Sequence, residues 1–263
     1  MPAYLETIIA AHRAVAAGDE RLIDDVLEQV VHAGTVRPFT AAITDGAARD
    51  GMALIAEIKR RSPSKGDLDP TLDPVVVAGE YEAGGASCLS VLTDADFFGG
   101  SVQDLQAARA ACGLPVLRKD FTVSALDVCD ARLMGADAVL LIVAALADTE
   151  LAALIALARQ CSLTALVEVH DDLELKRALD CGAEVIGVNQ RDLRTFEVDH
   201  ERALRLGETI PAGVTAVAES GITGPDDVRR LTEAGYQAVL VGERLVRSGD
   251  RRSAVQTMLG VGA

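Results

Sequence analysis

The stretch Ala53–Pro70, ALIAEIKRRSPSKGDLDP, begins as a buried strand and then breaks its own pattern. Ala53, Leu54, Ile55 and Ala56 are apolar, yet Glu57 and Lys59 stand in the same run. Two residues apart, they share one face of an extended chain. An unpaired charge in a core costs several kcal/mol, so these groups must pair or serve chemistry at the edge of the core. The loop that follows, RRSPSKG, is stiffened on one side by Pro63 and freed on the other by Gly66.

Seven further apolar runs follow downstream: SCLSVLTD, PVLRKDF, AVLLIVAAL, TALVEVH, VIGVNQRD, TAVAES and AVLVGERL. Between them lie segments of helical period such as LDPVVVAGEYEAGG, SVQDLQAARAACG, DTELAALIALARQC and DDLELKRALDCGA. Gly or Cys-Gly near their ends suits a helix C-cap. Continuous apolar strands alternating with helices predict a parallel sheet covered on its outer face. Eight such units predict a closed (β/α)8 TIM barrel of the α/β class. An open doubly wound sheet is the alternative, and no Gly-x-Gly-x-x-Gly follows the first strand to support it.

Upstream, Leu5, Ile8, Ile9 and His12, then Leu22, Ile23, Val26, Leu27 and Val30, recur at helical spacing and predict one or two helices. GTVRPFTAAITDGAARDG reads as a connector with a short helical piece. No linker or low-complexity stretch divides the chain. The expectation is a single domain over 1–263, with a helical leader over about 1–50 and a barrel core over 53–246. The apolar stripe of the leader reads as cover for the barrel, with a dimer face as the alternative, and the chain as a monomer.

An apolar share of 49% leaves ample material for a core, while the absence of Trp and only 3% aromatics argue against stacking platforms for single-stranded nucleic acid. A formal charge of −15 disfavours nucleic acid and anionic membranes as partners. Cys88, Cys112, Cys129, Cys161 and Cys181 are scattered and odd in number, and are expected to be buried free thiols. The first residues, MPAYLETIIAAHRAVAAGDE, carry acidic groups and no long apolar run, so a cytoplasmic location is expected.

Barrel enzymes build their sites at the carboxyl ends of the strands. Here those ends carry Glu57 and Lys59, then Arg118, Lys119 and Phe121, then Glu168 and His170. The last three runs end in Asn189 and Arg191, in Glu219, Ser220 and Gly221, and in Gly242 and Glu243. A structural ion-pair network would explain any one of these positions. Charges confined to one end of several separate strands instead make a mouth, because the lower halves are nearly all aliphatic.

Lys59, Lys119 and Arg191 fit a substrate bearing carboxylate or phosphate. Glu168 and the two lysines can supply acid and base groups once burial and crowding shift their pKa values. Gly221 and Gly242 stand where barrels hold phosphate with backbone N–H groups, although either alone is also an ordinary turn glycine. His12, His32, His170 and His200 are dispersed, with no ligand-spaced metal cluster, and His170 reads as a hydrogen-bonding strand-end residue. No Walker loop or Gly-x-Ser-x-Gly elbow occurs. The residues alone lead to a barrel enzyme without cofactor or metal, working by acid–base chemistry on a small phosphorylated anion.

IAEIKRRSPSKG, SVLTDADFFGGS, PVLRKDF, GADAVLLIVAAL, ALVEVH, IGVNQRDLRTFEVD, AESGI and LVGERL follow one another in the order typical of the indole-3-glycerol phosphate synthase family. The resemblance runs from about Ile55 to Val246. It implies a lyase of tryptophan biosynthesis, which converts 1-(2-carboxyphenylamino)-1-deoxyribulose 5-phosphate to indole-3-glycerol phosphate with loss of CO2 and water.

By motif position, Lys119 resembles the family's general acid, Glu168 the carboxylate of the dehydration stage, and Lys59 its cationic partner. Glu57 resembles the group orienting Lys59, and Asn189 and Glu219 resemble substrate-contacting residues. The resemblance further implies that Arg191 binds the anthranilate carboxylate, that Phe121 packs on the ring, and that Ser62, Ser220, Gly221, Gly242 and Glu243 hold the phosphate. Of these, Glu243 would contribute only its backbone N–H. RRSPSKG would be a lid, with Ser62 reaching the phosphate and Lys65 and Gly66 in its mobile part.

Two departures stand out. Gln190 replaces a frequent second Asn, with parity pointing it away from the mouth. TVSALDVCDAR stands where a Tyr-Gln pair is common. Two other functions remain open: a paralogous lyase or cyclase acting on a related phosphorylated substrate, and a barrel without activity serving as an interaction partner.

Overall fold

The computed structural model describes residues 4–62, 65–192 and 197–261, so Pro63 and its expected stiffening of the loop lie outside the described residues. Three leader helices, α1 (Tyr4–Ala17), α2 (Ile23–Val31) and α3 (Phe39–Asp50), precede the barrel. The connector expected to hold a short helical piece therefore forms a 12-residue helix. Eight parallel strands follow: β1 (Ala53–Ile58), β2 (Cys88–Leu92), β3 (Val116–Lys119), β4 (Ala138–Ile142), β5 (Thr164–Val169), β6 (Val185–Asn189), β7 (Thr215–Glu219) and β8 (Ala238–Val241). Each pairs with the next, and β8 returns to β1 with Ala53 opposite Ala238, which closes the barrel.

The helices that cover it are α4 (Pro74–Gly84), α5 (Val102–Ala111), α6 (Ala125–Met134), α7 (Asp148–Gln160), α8 (Asp172–Asp180), α9 (His200–Gly207), α10 (Pro225–Glu233), α11 (Glu243–Val246) and α12 (Arg251–Met258). Every residue of β1, β2, β4, β6 and β8 is buried, as continuous apolar runs require when one face fills the barrel and the other lies under helices. Asp or Ser side chains cap α4, α5, α6, α8, α9 and α12. Ser124 opens α6 with a reciprocal capping box to Asp127, so the stretch that departs from the family's Tyr-Gln pair packs as a well-formed helix start.

The leader covers both ends of the barrel. At the amino end, α3 buries Phe39 and Ile43 against β1, and Thr40 meets Thr164 at the start of β5 at 3.1 Å. At the carboxyl end, Leu5 and Ile8 of α1 line the mouth. His12 of the same helix lies 3.0 Å from Asp94, just after β2, and Arg13 holds Glu150 at 2.9 Å. Of the stripe read as cover, Ile8, Val26 and Val30 are buried and Ile9, Ile23 and Leu27 pack against the core, while Leu22 is left exposed.

Buried charge is not confined to the mouth. Asp137, immediately before β4, is fully buried at the amino end and accepts from the Arg37 amide at 2.6 Å, the Val116 amide at 2.8 Å and Arg109 at 2.6 Å. Burial still pushes its carboxyl above the ordinary value. Of the five free cysteines, four are buried as expected, while Cys181 is partly exposed at the end of α8. Among the described residues no helix is long and apolar enough to cross a membrane.

The His12–Asp94 contact makes α1 docking dependent on pH. The hydrogen bond to Asp94 raises the imidazole above 6.5 against the opposing effect of burial, with the charges of Asp120, Asp94 and Asp127 helping. Asp94 is opposed by burial, but His12 and the Phe97 and Phe98 amides bring it below 3.8. A raised imidazole stabilises fully below its unfolded value of 6.5, and a lowered carboxylate stabilises fully above its value of 3.8. The contact is thus whole between those values and is lost as pH rises through the folded His12 pKa. Amide-exchange protection of Tyr4–Ala17, corrected for intrinsic rates, is expected to fall as pH rises above the ordinary imidazole value of 6.5 and to stay level in His12→Ala. An equal fall in both proteins would remove His12 from the contact.

Candidate active site

A cavity of about 970 Å³ opens at the carboxyl ends of the strands. Of the residues singled out at the strand ends, all but Arg118 and His170 line it. Glu57, Lys59, Lys119, Glu168, Asn189 and Glu219 come from the strands and their last turns. Ser62, Phe121, Arg191, Ser220, Gly221, Gly242 and Glu243 come from the loops that follow.

Lys119 is the hub. Its Nζ donates to Glu168 Oε2 at 2.8 Å and to Glu219 Oε2 at 2.6 Å. Asn189 donates from Nδ2 to Glu168 Oε1 at 3.1 Å, and its own Oδ1 accepts from the Arg191 amide at 3.0 Å, which fixes the orientation of the side-chain amide. Opposite, Lys59 forms an ion pair with Glu57.

The barrel register brings these groups together. Asn189 stands beside Glu219 on adjacent strands, and Glu168 beside Gly187. Room is made by two glycines: Gly187, which sequence inspection missed, and Gly242, which it read as a phosphate-binding position. A methyl on Gly187 would run into the Glu219 carboxylate, and one on Gly242 into that of Glu57.

Burial alone would discharge Lys119, Glu168 and Glu219 alike; their neighbours decide which of them stay charged. Burial pulls the Lys119 ammonium down, but Glu168, Glu219 and Glu57 outweigh it and hold it protonated. Burial likewise works to raise Glu168, yet Lys119 and His170 hold it well below the usual carboxylate range. Glu219 goes the other way: burial and the neighbouring Glu168 and Glu57 charges push it above that range despite Lys119. One carboxylate is kept ionised and its neighbour is pushed toward the neutral form, the separation from which acid and base roles arise.

The end of β7 makes the second feature. Ser220 and Gly221 take successive positive φ values of 66° and 72° and line the cavity. Ser220 is strained there, and Gly221 is required, since a Cβ would strike Val198 and press on His200. Gln190 braces the turn from outside, donating from Nε2 to the Ser220 carbonyl at 2.8 Å, so it does point away from the cavity. The Glu243 carboxylate turns back toward Arg247, 4.0 Å away on its own helix. Phe121 stands near Phe98, ring centroids 6.4 Å apart, and forms an apolar wall.

Arg118 does not belong to the mouth. Its side chain reaches Thr93, Asp120 and the Asp127 carbonyl outside the barrel, as strand alternation next to an inward Lys119 demands. His170 is a hydrogen-bonding strand-end residue, 3.0 Å from Glu174. The second strand end was passed over in the sequence, yet Asp94 lines the cavity; its place directly after an apolar run was the available signal. His12, Asp94 and Asp120 also converge closely enough to suggest a metal ligand set. Of the two oxygens facing His12, that of Asp94 is paired with the ring and that of Asp120 accepts the Phe121 amide, while the other two accept from Phe97, Phe98, Thr93 and Arg118, so the cluster reads as the clasp of α1.

The family model described as indole-3-glycerol phosphate synthase matches residues 5–258. The chain belongs to the indole-3-glycerol phosphate synthase family. Indole-3-glycerol phosphate synthase from Nocardioides sp. is 54% identical over 211 residues, 80% of this chain and 81% of that protein. Indole-3-glycerol phosphate synthase from Mycobacteroides abscessus is 45% identical over 258 residues, 98% of this chain and 94% of the relative. Among solved structures, a 3-hexulose-6-phosphate synthase aligns with a TM-score of 0.63 at 16% identity, over 80% of this chain and 99% of that one. Likeness at that identity reflects the barrel alone. The indole-3-glycerol phosphate synthase family match spans the α1 clasp as well as all eight strands.

Proposed function

We propose that this chain closes the indole ring, converting 1-(2-carboxyphenylamino)-1-deoxyribulose 5-phosphate to indole-3-glycerol phosphate, CO2 and water. Family membership supports the reaction, and the observation that carries it to these side chains is the protonated Lys119 held between Glu168 and Glu219. The ring carbon bearing the carboxylate attacks the ribulose carbonyl, and Lys119 gives that oxygen its proton. Loss of CO2 then returns the bonding electrons to the ring and restores its aromaticity. In the dehydration, Glu168 takes a proton from the new five-membered ring while the hydroxyl leaves as water with a proton from Lys59.

Arg191 binds the anthranilate carboxylate until it departs, and Phe121 packs on the ring. Ser62 and the backbone N–H groups at Ser220, Gly221, Gly242 and Glu243 take the phosphate. Ser62 and Lys65 belong to a loop anchored by the Arg60–Asp104 ion pair, and this loop closes over the bound substrate. The setting is a cytoplasmic, monomeric single-domain enzyme that works without a cofactor, nucleic acid or membrane partner.

The test is a continuous fluorescence assay for indole-3-glycerol phosphate from the carboxyphenylamino sugar phosphate. Turnover that saturates with substrate is expected. Binding of that compound without turnover would move the function to a related phosphorylated substrate of the same mouth.

A further inference from the structure

His170 follows β5 and sits between two carboxylates. Its Nδ1 lies 3.0 Å from Glu174 Oε2, and its Nε2 lies 3.4 Å from Glu168 Oε1. The second distance is an ion-pair contact, longer than a well-formed hydrogen bond. Glu174 grips the residue twice, because the same oxygen accepts the His170 backbone N–H at 2.8 Å. That grip is built into the start of α8, where Asp171 caps the Glu174 amide at 2.8 Å and turns the Glu174 side chain back along the chain. The ring is largely buried, with 13% of its side chain exposed, and does not line the cavity.

An ionised carboxylate oxygen only accepts. A neutral imidazole would offer one N–H and one lone pair, and the lone pair would face a carboxylate whichever tautomer formed. With a carboxylate oxygen close to each nitrogen, hydrogen-bonded at Nδ1 and at ion-pair distance from Nε2, the imidazolium is the form the two anions favour. We propose that His170 is a doubly protonated positioning residue that holds Glu168 ionised and aimed, and remains its cation when Lys119 gives its proton to the substrate. Glu168 Oε2 is served by Lys119, while Oε1 faces Asn189 and His170. Among the described residues the cations in contact with Glu168 are Lys119 and His170, while Lys59 pairs with Glu57, so once Lys119 becomes neutral His170 is the cation left beside a deeply buried anion.

Burial opposes the charge on His170, but Glu168 and Glu174 outweigh it and raise the imidazole to about 10. Lys119, Glu219 and Glu57 belong to the same charge cluster beyond Glu168 and set the field in which it titrates.

This inference rests on Glu168 as the catalytic carboxylate, and the test separates the two. Histidine-labelled protein is titrated by NMR, with His170→Asn used to assign the signal. The His170 ring is expected to stay doubly protonated from about pH 6 to about pH 8, and its pKa to fall by about one unit or more in both Glu168→Gln and Glu174→Gln. A wild-type ring that titrates near its ordinary value overturns the proposal, whatever the substrate proves to be.

In the assay, His170→Asn is expected to lower kcat roughly ten- to hundredfold with KM nearly unchanged. The acid limb of the kcat profile is expected to move to higher pH, because a Glu168 deprived of its cation ionises later. A purely structural histidine would leave that limb in place, and an unmoved limb with unchanged kcat overturns the proposal. Should His170→Asn fail to fold, Glu174→Gln leaves the ring in place and is expected to shift the limb in the same direction. Absence of turnover in the wild type would count against the proposed reaction only, and the NMR titration would still decide the role of His170.

Discussion

Lys119→Ala is expected to lower turnover by roughly ten-thousandfold or more, at or beyond the top of the range for one acid–base group. The loss exceeds that of a simple proton donor because Lys119 does two things. It supplies the proton that activates the ribulose carbonyl, and it is the cation that allows Glu168 and Glu219 to share one buried site. Its removal leaves two nearly inaccessible carboxylates facing each other. Breaking a buried charge network in this way costs about 3–5 kcal/mol.

The pH dependence of that cost follows from its sign. In the variant the folded pKa of Glu219, already above its unfolded value, rises further while Glu168 keeps only His170, so the folded state is favoured below the unfolded pKa and penalised as pH rises through the folded one. The stability deficit of Lys119→Ala relative to wild type should therefore shrink toward acidic pH. Urea unfolding at neutral and mildly acidic pH checks this, and a deficit independent of pH would show that the two carboxylates do not compete.

Glu168→Gln should behave differently, although the loss of turnover is again large, about 10²- to 10⁴-fold. Glutamine matches glutamate in shape and leaves Lys119 paired with Glu219 at 2.6 Å. Substrate binding and thermal stability should stay close to wild type, because the charge lost is one of two beside the ammonium. The base for dehydration is gone, so kcat falls while binding persists. A fluorescent-ligand titration beside the activity assay makes the distinction, and a kcat within tenfold of wild type would remove Glu168 from the chemistry. Because both side chains share one network, the double variant should fall well short of the product of the two single effects.

Much of the barrel was legible because its strands are continuous apolar runs. A parallel strand is buried on both faces, and β1, β2, β4, β6 and β8 show it without a break. The mouth was legible for the complementary reason: a charge such as Glu57 is tolerable in such a run only at its end. Arg118 shows where the rule was applied too loosely. Its parity relative to Lys119 already sent it outward, toward Asp120. Asp94 was passed over although its position after β2 met the same criterion, since it became meaningful only with His12 beside it.

The sequence by itself determined the order of strands and helices, the end of the barrel that carries charge, and which side chains form the mouth. Periodicity and burial are local properties, written within a few residues of each position. Only the tertiary structure decided how those charges divide their roles. Lys119 meets Glu168 across 49 positions and Glu219 across 100, while His12 reaches Asp94 across 82. Whether a buried carboxylate stays ionised depends on which cation lies within a few ångströms, and closure of the barrel sets that distance. Glu168 is driven down and Glu219 up by that closure, and His170 is caught between two acceptors by it.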